Sequence, residues 1–313
     1  MSFSSNVKEE LTREAVKARH CQIAEIAGIF QNIGKIAVND DTVELTITTE
    51  NVVLAKRYFE LTKKAFRVSP ELIVTTSEKL KKNRVYKVYI KEKKSDAAMY
   101  GALKWQVKEK EQKIDEPVDK LIIMQSCCKR AYLRGVFLAV GSVTDPGKGY
   151  HLEIVVTNEN KAKQITDEFL HFGIEVRTVE RKGHIVCYIK EGEKISDALN
   201  VIGAHSALME LENVRIIKEV RNDVNRRVNC ETANINKTVN AAVRQVEDIE
   251  YIDKVMGLKS LSPQLKEAAE KRLMYPEATL KELAALLNPP CGKSGLNHRL
   301  MKISAMAKEL RGE

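Results

Sequence analysis

Ala24–Ile36 reads AEIAGIFQNIGKI, and Ala131–Val143 reads AYLRGVFLAVGSV. Gly28 matches Gly135 and Gly34 matches Gly141, each pair 107 positions apart. The likeness extends outward from there. Val43–Asn51 (VELTITTEN) returns as Leu152–Asn160 (LEIVVTNEN) at a spacing of 109. Tyr86–Glu92 (YKVYIKE) returns as Ile185–Glu191 (IVCYIKE), and Ser95-Asp96-Ala97 as Ser196-Asp197-Ala198. Self-similarity on this scale means a tandem duplication, which sets the architecture before any local argument.

Each glycine-bearing stretch has helical spacing. Ile23, Ile26, Ala27 and Phe30 form one apolar set, and Leu133, Val136, Phe137 and Val140 the other. Ala24/Gly28 and Ala131/Gly135 place small residues four apart on one face, where two helix backbones can approach closely. The two helices are expected to pack on each other across a pseudo-two-fold axis. A hairpin follows each, turning at Asn39-Asp40-Asp41 and at Asp145–Gly149. Its second strand alternates, with Val43, Leu45 and Ile47 on one face and Leu152, Ile154 and Val156 on the other copy's equivalent. Asn51 and Asn160 are read as caps of the next helix. A second strand pair (71–76 with 85–91; 175–180 with 184–190) and a closing helix from Ser95 or Ser196 complete an α-β-β-α-β-β-α unit. The copies are placed at about 20–104 and 121–204, joined by a charged linker over 104–120. A leading helix over 7–19, capped by Ser4 or Ser5, precedes them. Residues 205–236 form a polar helical linker, and 237–313 an all-α domain.

Of 313 residues, 43% are hydrophobic and 30% charged, with a net charge of +9. That balance favours an anionic partner such as nucleic acid. The charged opening MSFSSNVKEELTREAVK has no apolar signal core, and no run is long enough for a membrane span, so the expected location is cytoplasmic and nucleoid-associated. The cysteines (Cys21, Cys127, Cys128, Cys187, Cys230, Cys291) include no CxxC pair. Neither a disulfide framework nor a metal site is expected. Cys21 and Cys127/Cys128, just ahead of the repeated helices, read as packing residues. His20, His151, His171, His184 and His205 show no ligand spacing, so no catalytic residue, cofactor or small-molecule substrate is anticipated.

A duplicated α-β-β-α-β-β-α unit with a glycine helix at its pseudo-symmetric interface resembles the LAGLIDADG homing endonucleases. The windows are Ile26–Gly34 and Leu133–Gly141. In those nucleases the penultimate motif residue is an acid that holds catalytic Mg²⁺. Here the positions are Ile33 and Val140, and an alkyl group cannot ligate a cation that demands oxygen. Asp40, Asp41 and Asp145 sit in turns beyond the helix ends. With a helical module following, the chain resembles the WhiA family of sporulation and cell-division regulators. The stretches MSFSSNVKEEL, AYLRGVFLAVGSVTDPGKGYHLE, RNDVNRRVNCETANINKT and LKELAALLNPPCGKSGLNHRLMKI carry that likeness. The resemblance implies an α+β nuclease-like domain without nuclease activity, a C-terminal helix-turn-helix, and transcriptional control tied to cell division, chromosome segregation or sporulation. Double-stranded DNA is the implied partner, and another transcription or division regulator a secondary one.

In the C-terminal third, Thr279 can cap Leu280–Leu287, which Asn288-Pro289-Pro290 ends. A helix from Lys293 or Ser294 to about Leu310 buries Leu296, Leu300, Ile303 and Ala307. Its opposite face carries Ser294, His298, Met301, Lys302 and Ala305, with Asn297 and Arg299 flanking it and Lys293 at the helix start; Lys293, Ser294, Asn297, His298, Arg299 and Lys302 are the residues expected to contact DNA in the major groove. Gly292-Lys293-Ser294 is not a phosphate-binding loop, because that motif needs glycine at position 287, which is Leu. Upstream, Asn222, Asn225 and Asn229 share a helix face near Arg226 and Arg227. They read equally as phosphate contacts or as the polar surface of a connector. Val239, Val243, Val246, Ile249, Ile252 and Val255 read as a core stripe. The rival readings are a protein-interaction adaptor built on the duplicated domain, and an active endonuclease.

Overall fold

The computed structural model describes residues 2–76, 84–105 and 111–312. The chain opens on α1 (Phe3–Arg13), whose Phe3, Val7 and Leu11 are buried, with Ser2 as its cap accepting from the Ser5 amide. The helix therefore starts four residues before the expected Val7 and ends six before Arg19. Next, α2 (Arg19–Ile33) runs without a loop into β1 (Gly34–Val38) and β2 (Thr42–Thr49). After α3 (Val52–Phe66) come β3 (Glu71–Thr76), β4 (Arg84–Lys93) and α4 (Ala98–Leu103). The first copy's closing helix is thus one short turn and one short helix. The second copy repeats the plan with α5 (Ser126–Val140), β6 (Gly141–Val143), β7 (Leu152–Val156), α6 (Glu159–Leu170), β8 (Arg177–Arg181), β9 (His184–Ile189) and α7 (Gly192–Ile202). Here the closing helix begins four residues ahead of Ser196.

The expected linker over 104–120 is built into the fold. Its β5 (Glu111–Lys113) adds to β1 as an edge strand, giving a first sheet of order β3-β4-β2-β1-β5. Trp105, Ile114 and Val118 of that stretch are buried. An edge strand pairs on one side and is solvated on the other, so its charged sequence hides it. The second sheet has four strands, ordered β6-β7-β9-β8.

Strand pairing corrects the repeat register. Gly34 pairs with Ile47 in one copy, and Gly141 with Ile154 in the other. The helix caps are Asn51, which accepts from the Val53 and Leu54 amides, and Asn158, which accepts from the Lys161 amide. One spacing of 107 therefore runs from the glycine helix through the cap, and Asn160 is not a cap but lies within α6. The 109 spacing came from a two-residue slip, which strand alternation cannot reveal because side chains repeat on one face every second residue.

The α8 helix (His205–Met256) is continuous, where a linker to 236 and a new helix from Lys237 were expected. Neither Pro nor Gly interrupts it, so nothing breaks its amide ladder. Gly257 ends it at a φ of +77°, its amide donating to the Ile252 and Asp253 carbonyls. The chain divides into two contact units, 1–218 and 219–313, and the division falls inside α8. In the first unit, the Glu10 carboxylate accepts from the Ser206 and Ala207 amides at the start of α8, and Lys218 donates to the Pro146 carbonyl at 2.6 Å.

The second unit adds α9 (Pro263–Met274), α10 (Leu280–Ala285) and α11 (Lys293–Arg311). Ile249 and Ile252 of α8 join Leu261, Ala269, Leu283, Leu287, Leu296, Leu300 and Ile303 in one core. The α8 stripe is core only in this part. Val239 and Val243 are about half exposed, because α9–α11 cover only its C-terminal portion, and Val255 in the last turn is half exposed as well. No helix among the described residues is long and apolar enough to cross a membrane.

Candidate nucleic-acid interface

The first candidate surface is set by how α2 and α5 meet. Added Cβ atoms would lie 2.4 Å from the Tyr132 carbonyl oxygen at Gly28 and 2.2 Å from the Glu25 carbonyl oxygen at Gly135. Only hydrogen fits, so the two backbones touch, as the small-residue spacing predicts. Two buried polar groups flank this contact at repeat-equivalent places. On one side Glu25 accepts from Arg57 at 2.7 and 3.1 Å and from Arg134 at 3.3 Å. On the other the Tyr132 hydroxyl donates to Gln31 at 2.9 Å and to Gln164 at 3.1 Å. Glu25 corresponds to Tyr132, and Arg57 to Gln164, by the spacing of 107. An ion cluster and a neutral amide cluster thus occupy the same position in the two copies.

Ile33 and Val140 are the last residues of α2 and α5, each half-buried against the core. Beside Ile33 lies a cleft of about 280 Å³ lined by Lys35, Lys113, Asp115 and Lys161, among others. The Lys161 ammonium is nearly buried; it donates to the Gln31 carbonyl at 2.9 Å and to Thr157 at 3.2 Å. Burial pushes its pKa down from the usual lysine value, with Asp115 at 3.9 Å opposing the shift. Three ammonium groups and one carboxylate suit a phosphate better than a divalent cation, which needs several anionic oxygens. Asp40, Asp41 and Asp145 are exposed in their turns, and the Asp145 carboxylate accepts from the Gly147 amide. Among the described residues they join no cluster of ligand atoms.

The second candidate surface is the α10–α11 pair. Thr279 and Glu282 form a reciprocal capping box at the start of α10, which stops at Ala285, two residues before the expected Leu287. The connection over 286–292 is pinned by buried Leu287, by Glu267 accepting from the Asn288 amide at 2.6 Å, and by the Cys291 amide donating to the Ala284 carbonyl. Fully buried Arg272 holds the preceding turn, donating to the Ala278 carbonyl at 2.7 Å. At the far end Arg311 pairs with Asp248 at 2.8 Å and lies over the Tyr251 ring. These contacts fix α11 from both ends.

Leu296, Leu300, Ile303 and Ala307 are the buried residues of α11, as the spacing predicts. Lys293, Ser294, His298 and Lys302 are exposed, while Asn297 and Arg299 are half-buried at the edges of that face. Ser294, His298 and Lys302 thus share the exposed face opposite the buried stripe, with Asn297 and Arg299 flanking it on either edge and Lys293 in the first turn. Its first turn has no side-chain cap, leaving amide donors open to an anion. Asn225, Arg226 and Arg227 are exposed on α8, and Arg226 makes a surface contact with Asp223 at 3.9 Å. What sequence reasoning missed is a cluster elsewhere: His20, Cys21, Cys127 and Cys128 have their ligand atoms within 4.8 Å of one another. Neither the cysteine spacing nor the histidine spacing points to that group. Motif spacing searches one segment at a time, whereas the pseudo-two-fold brings two segments together.

Three family descriptions cover most of the chain. The WhiA N-terminal LAGLIDADG-like domain matches residues 19–100, the WhiA LAGLIDADG-like domain 129–221, and the WhiA C-terminal HTH domain 224–307. A "Probable cell division protein WhiA" of Lachnoclostridium phytofermentans is 44% identical over 312 residues, spanning 99% of this chain and all of that protein. One from Thermoanaerobacter sp. strain X514 is 45% identical over 313 residues, covering 99% of this chain and 98% of its own. Among solved structures, full-length WhiA from Thermatoga maritima superposes over 99% of both chains with a TM-score of 0.62 at 27% identity. With matches to all three domains and such identity along its length, the chain belongs to the WhiA family.

Proposed function

We propose that this protein is a sequence-specific DNA-binding transcription regulator, without nuclease activity, that acts in cell division, chromosome segregation or sporulation on the cytoplasmic nucleoid. The observation that carries the reading is the exposed face of α11, where Ser294, His298 and Lys302 stand opposite the buried stripe, Asn297 and Arg299 flank it, and Lys293 opens the helix. Arg and Asn edges discriminate guanine and adenine, and lysines anchor phosphates. In this division of labour residues 1–204 are the nuclease-like body and 237–313 read DNA. The segment 205–236 links them, with Asn225, Arg226 and Arg227 as phosphate contacts. The cationic cleft beside Ile33 supports backbone contact by the body too.

Gel-shift titration on fragments selected from the native genome tests this. Arg299→Ala is expected to weaken the preferred site by about 1–3 kcal/mol and to relax its sequence preference. Lys302→Ala should weaken all sequences alike and reduce the salt slope by about one. Unchanged affinity in both variants rejects α11 as the reading helix. For the nuclease alternative, plasmid nicking with Mg²⁺ or Mn²⁺ is the assay; cleavage that disappears with Asp145→Ala would restore an enzymatic reading. The adaptor reading takes the duplicated domain as its platform. Partners that stay bound after nuclease treatment would favour it.

A further inference from the structure

His20 and Cys21 lie in the first turn of α2, and Cys127 and Cys128 in the first turn of α5. The spacing of 107 makes His20 the counterpart of Cys127, and Cys21 that of Cys128. Each copy therefore contributes two adjacent donors from the same two places, and the four meet on the pseudo-two-fold axis. All four ligand atoms lie within 4.8 Å of one another. His20 Nδ1 is 3.2 Å from Cys128 Sγ, 3.3 Å from Cys21 Sγ and 4.0 Å from Cys127 Sγ. A tetrahedral ion with sulfur at about 2.3 Å and nitrogen at about 2.0–2.1 Å sets nitrogen–sulfur edges near ~3.5 Å. The observed three bracket that value.

We infer that His20, Cys21, Cys127 and Cys128 form a Cys₃His site for one structural zinc ion, which staples the N-terminal ends of α2 and α5. Soft thiolates and an imidazole in a closed four-donor set are zinc chemistry; a hard oxygen-seeking cation would not choose it. The cysteines are free of disulfides. Cys21 and Cys128 are buried while His20 and Cys127 are exposed, so the ion has an inner wall and an open side for entry. Neither helix start carries a side-chain cap. Two helix N-termini therefore face the net negative charge that three thiolates and one Zn²⁺ leave behind, which the helix dipoles favour. The site is about 20 Å along the helices from Ile33 and Val140, given ~1.5 Å per residue. Its task is to hold the copies together, and it stands apart from the lost nuclease centre.

Full-length protein made in zinc-supplemented medium and purified under reducing conditions without chelator tests this by elemental analysis. About one zinc per chain is expected, with a thiolate-to-metal charge-transfer band when cobalt replaces it. Cys127→Ser, at an exposed position the fold does not depend on, should lower zinc affinity at least tenfold. Cys230→Ser, exposed on α8 and outside the cluster, should leave it unchanged. Chelation should lower the melting temperature followed through Trp105, which is buried in the first unit. Reduced wild-type protein that takes up no zinc at micromolar concentrations overturns the inference. So does a Cys127→Ser variant that holds zinc as the wild type does, or a disulfide among these cysteines in protein alkylated at lysis.

Discussion

Replacing Gly135 with alanine sets two effects against each other, and the structure decides the sign. In a helix interior Ala is favoured over Gly by about 1 kcal/mol. At Gly135, however, the new carbon would stand 2.2 Å from the Glu25 carbonyl oxygen and 3.1 Å from the Ile29 nitrogen. Non-bonded heavy atoms settle at about 3.5 Å, so α2 and α5 must part by roughly 1 Å. The obstructing atoms are backbone, which cannot rotate aside. Overpacking of this kind costs about 1–3 kcal/mol or more, and here the upper end applies. After the propensity gain the net loss is about 2 kcal/mol. For a unit of this size that lowers the melting temperature by about 4–8 °C. The chain has one tryptophan, and Trp105 is buried against Phe30 of α2 at 5.7 Å between ring centroids. Its fluorescence follows the first unit without interference from the second. Gly101→Ala in α4 is the matched control: nothing lies within 4 Å of its new carbon, so it should gain about 0.5–1 kcal/mol. A Gly135→Ala variant melting at or above the wild type would refute the close-contact reasoning.

Two further perturbations follow from the same kind of accounting. Glu25→Ala removes the shared counter-charge of Arg57 and Arg134, both buried, and should cost about 3–5 kcal/mol in urea unfolding read at Trp105; a loss under 1 kcal/mol would mean water reaches those guanidiniums. Thr279→Ala removes the capping box of α10 and should cost the second unit about 1 kcal/mol, seen by circular dichroism as an earlier loss of helix with the Trp105 transition unmoved.

Much of the fold is legible in the sequence because a duplication prints its own symmetry. The Gly28 and Gly135 helices, the strand pairs and the buried face of α11 all follow from period and small-residue spacing. The exceptions have physical causes. Asn160 looked like a cap because a strand cannot distinguish a slip of two; only the pairing of Gly141 with Ile154 shows that Asn158 holds that place. Residues 111–113 looked like linker because an edge strand needs no apolar alternation. The α8 stripe looked like continuous core because periodicity reports which residues share a face, not whether anything packs on it. Val239 and Ile249 share that face with opposite fates. On the candidate surfaces, which side of α11 is buried and which is exposed was legible from spacing. The Lys35, Lys113 and Lys161 cleft was not, since its lysines come from β1, β5 and α6.

The paired glycines hold the α2–α5 frame together without drawing on the residues that end the two helices. What holds α2 to α5 is backbone contact at Gly28 and Gly135 and two buried polar clusters, Glu25–Arg57–Arg134 and Tyr132–Gln31–Gln164. None of these uses positions 33 or 140. An acid there would sit at the half-buried end of the interface, carrying a desolvation cost that a bound cation must offset. Once no cation is required, Ile and Val remove that cost and add apolar contact with the core. Ammonium groups can then gather at the same cleft, where they would have repelled a catalytic metal. Apolar side chains at positions 33 and 140 and a lysine-lined cleft beside Ile33 are thus electrostatically compatible neighbours. Neither feature draws on the backbone contact between α2 and α5.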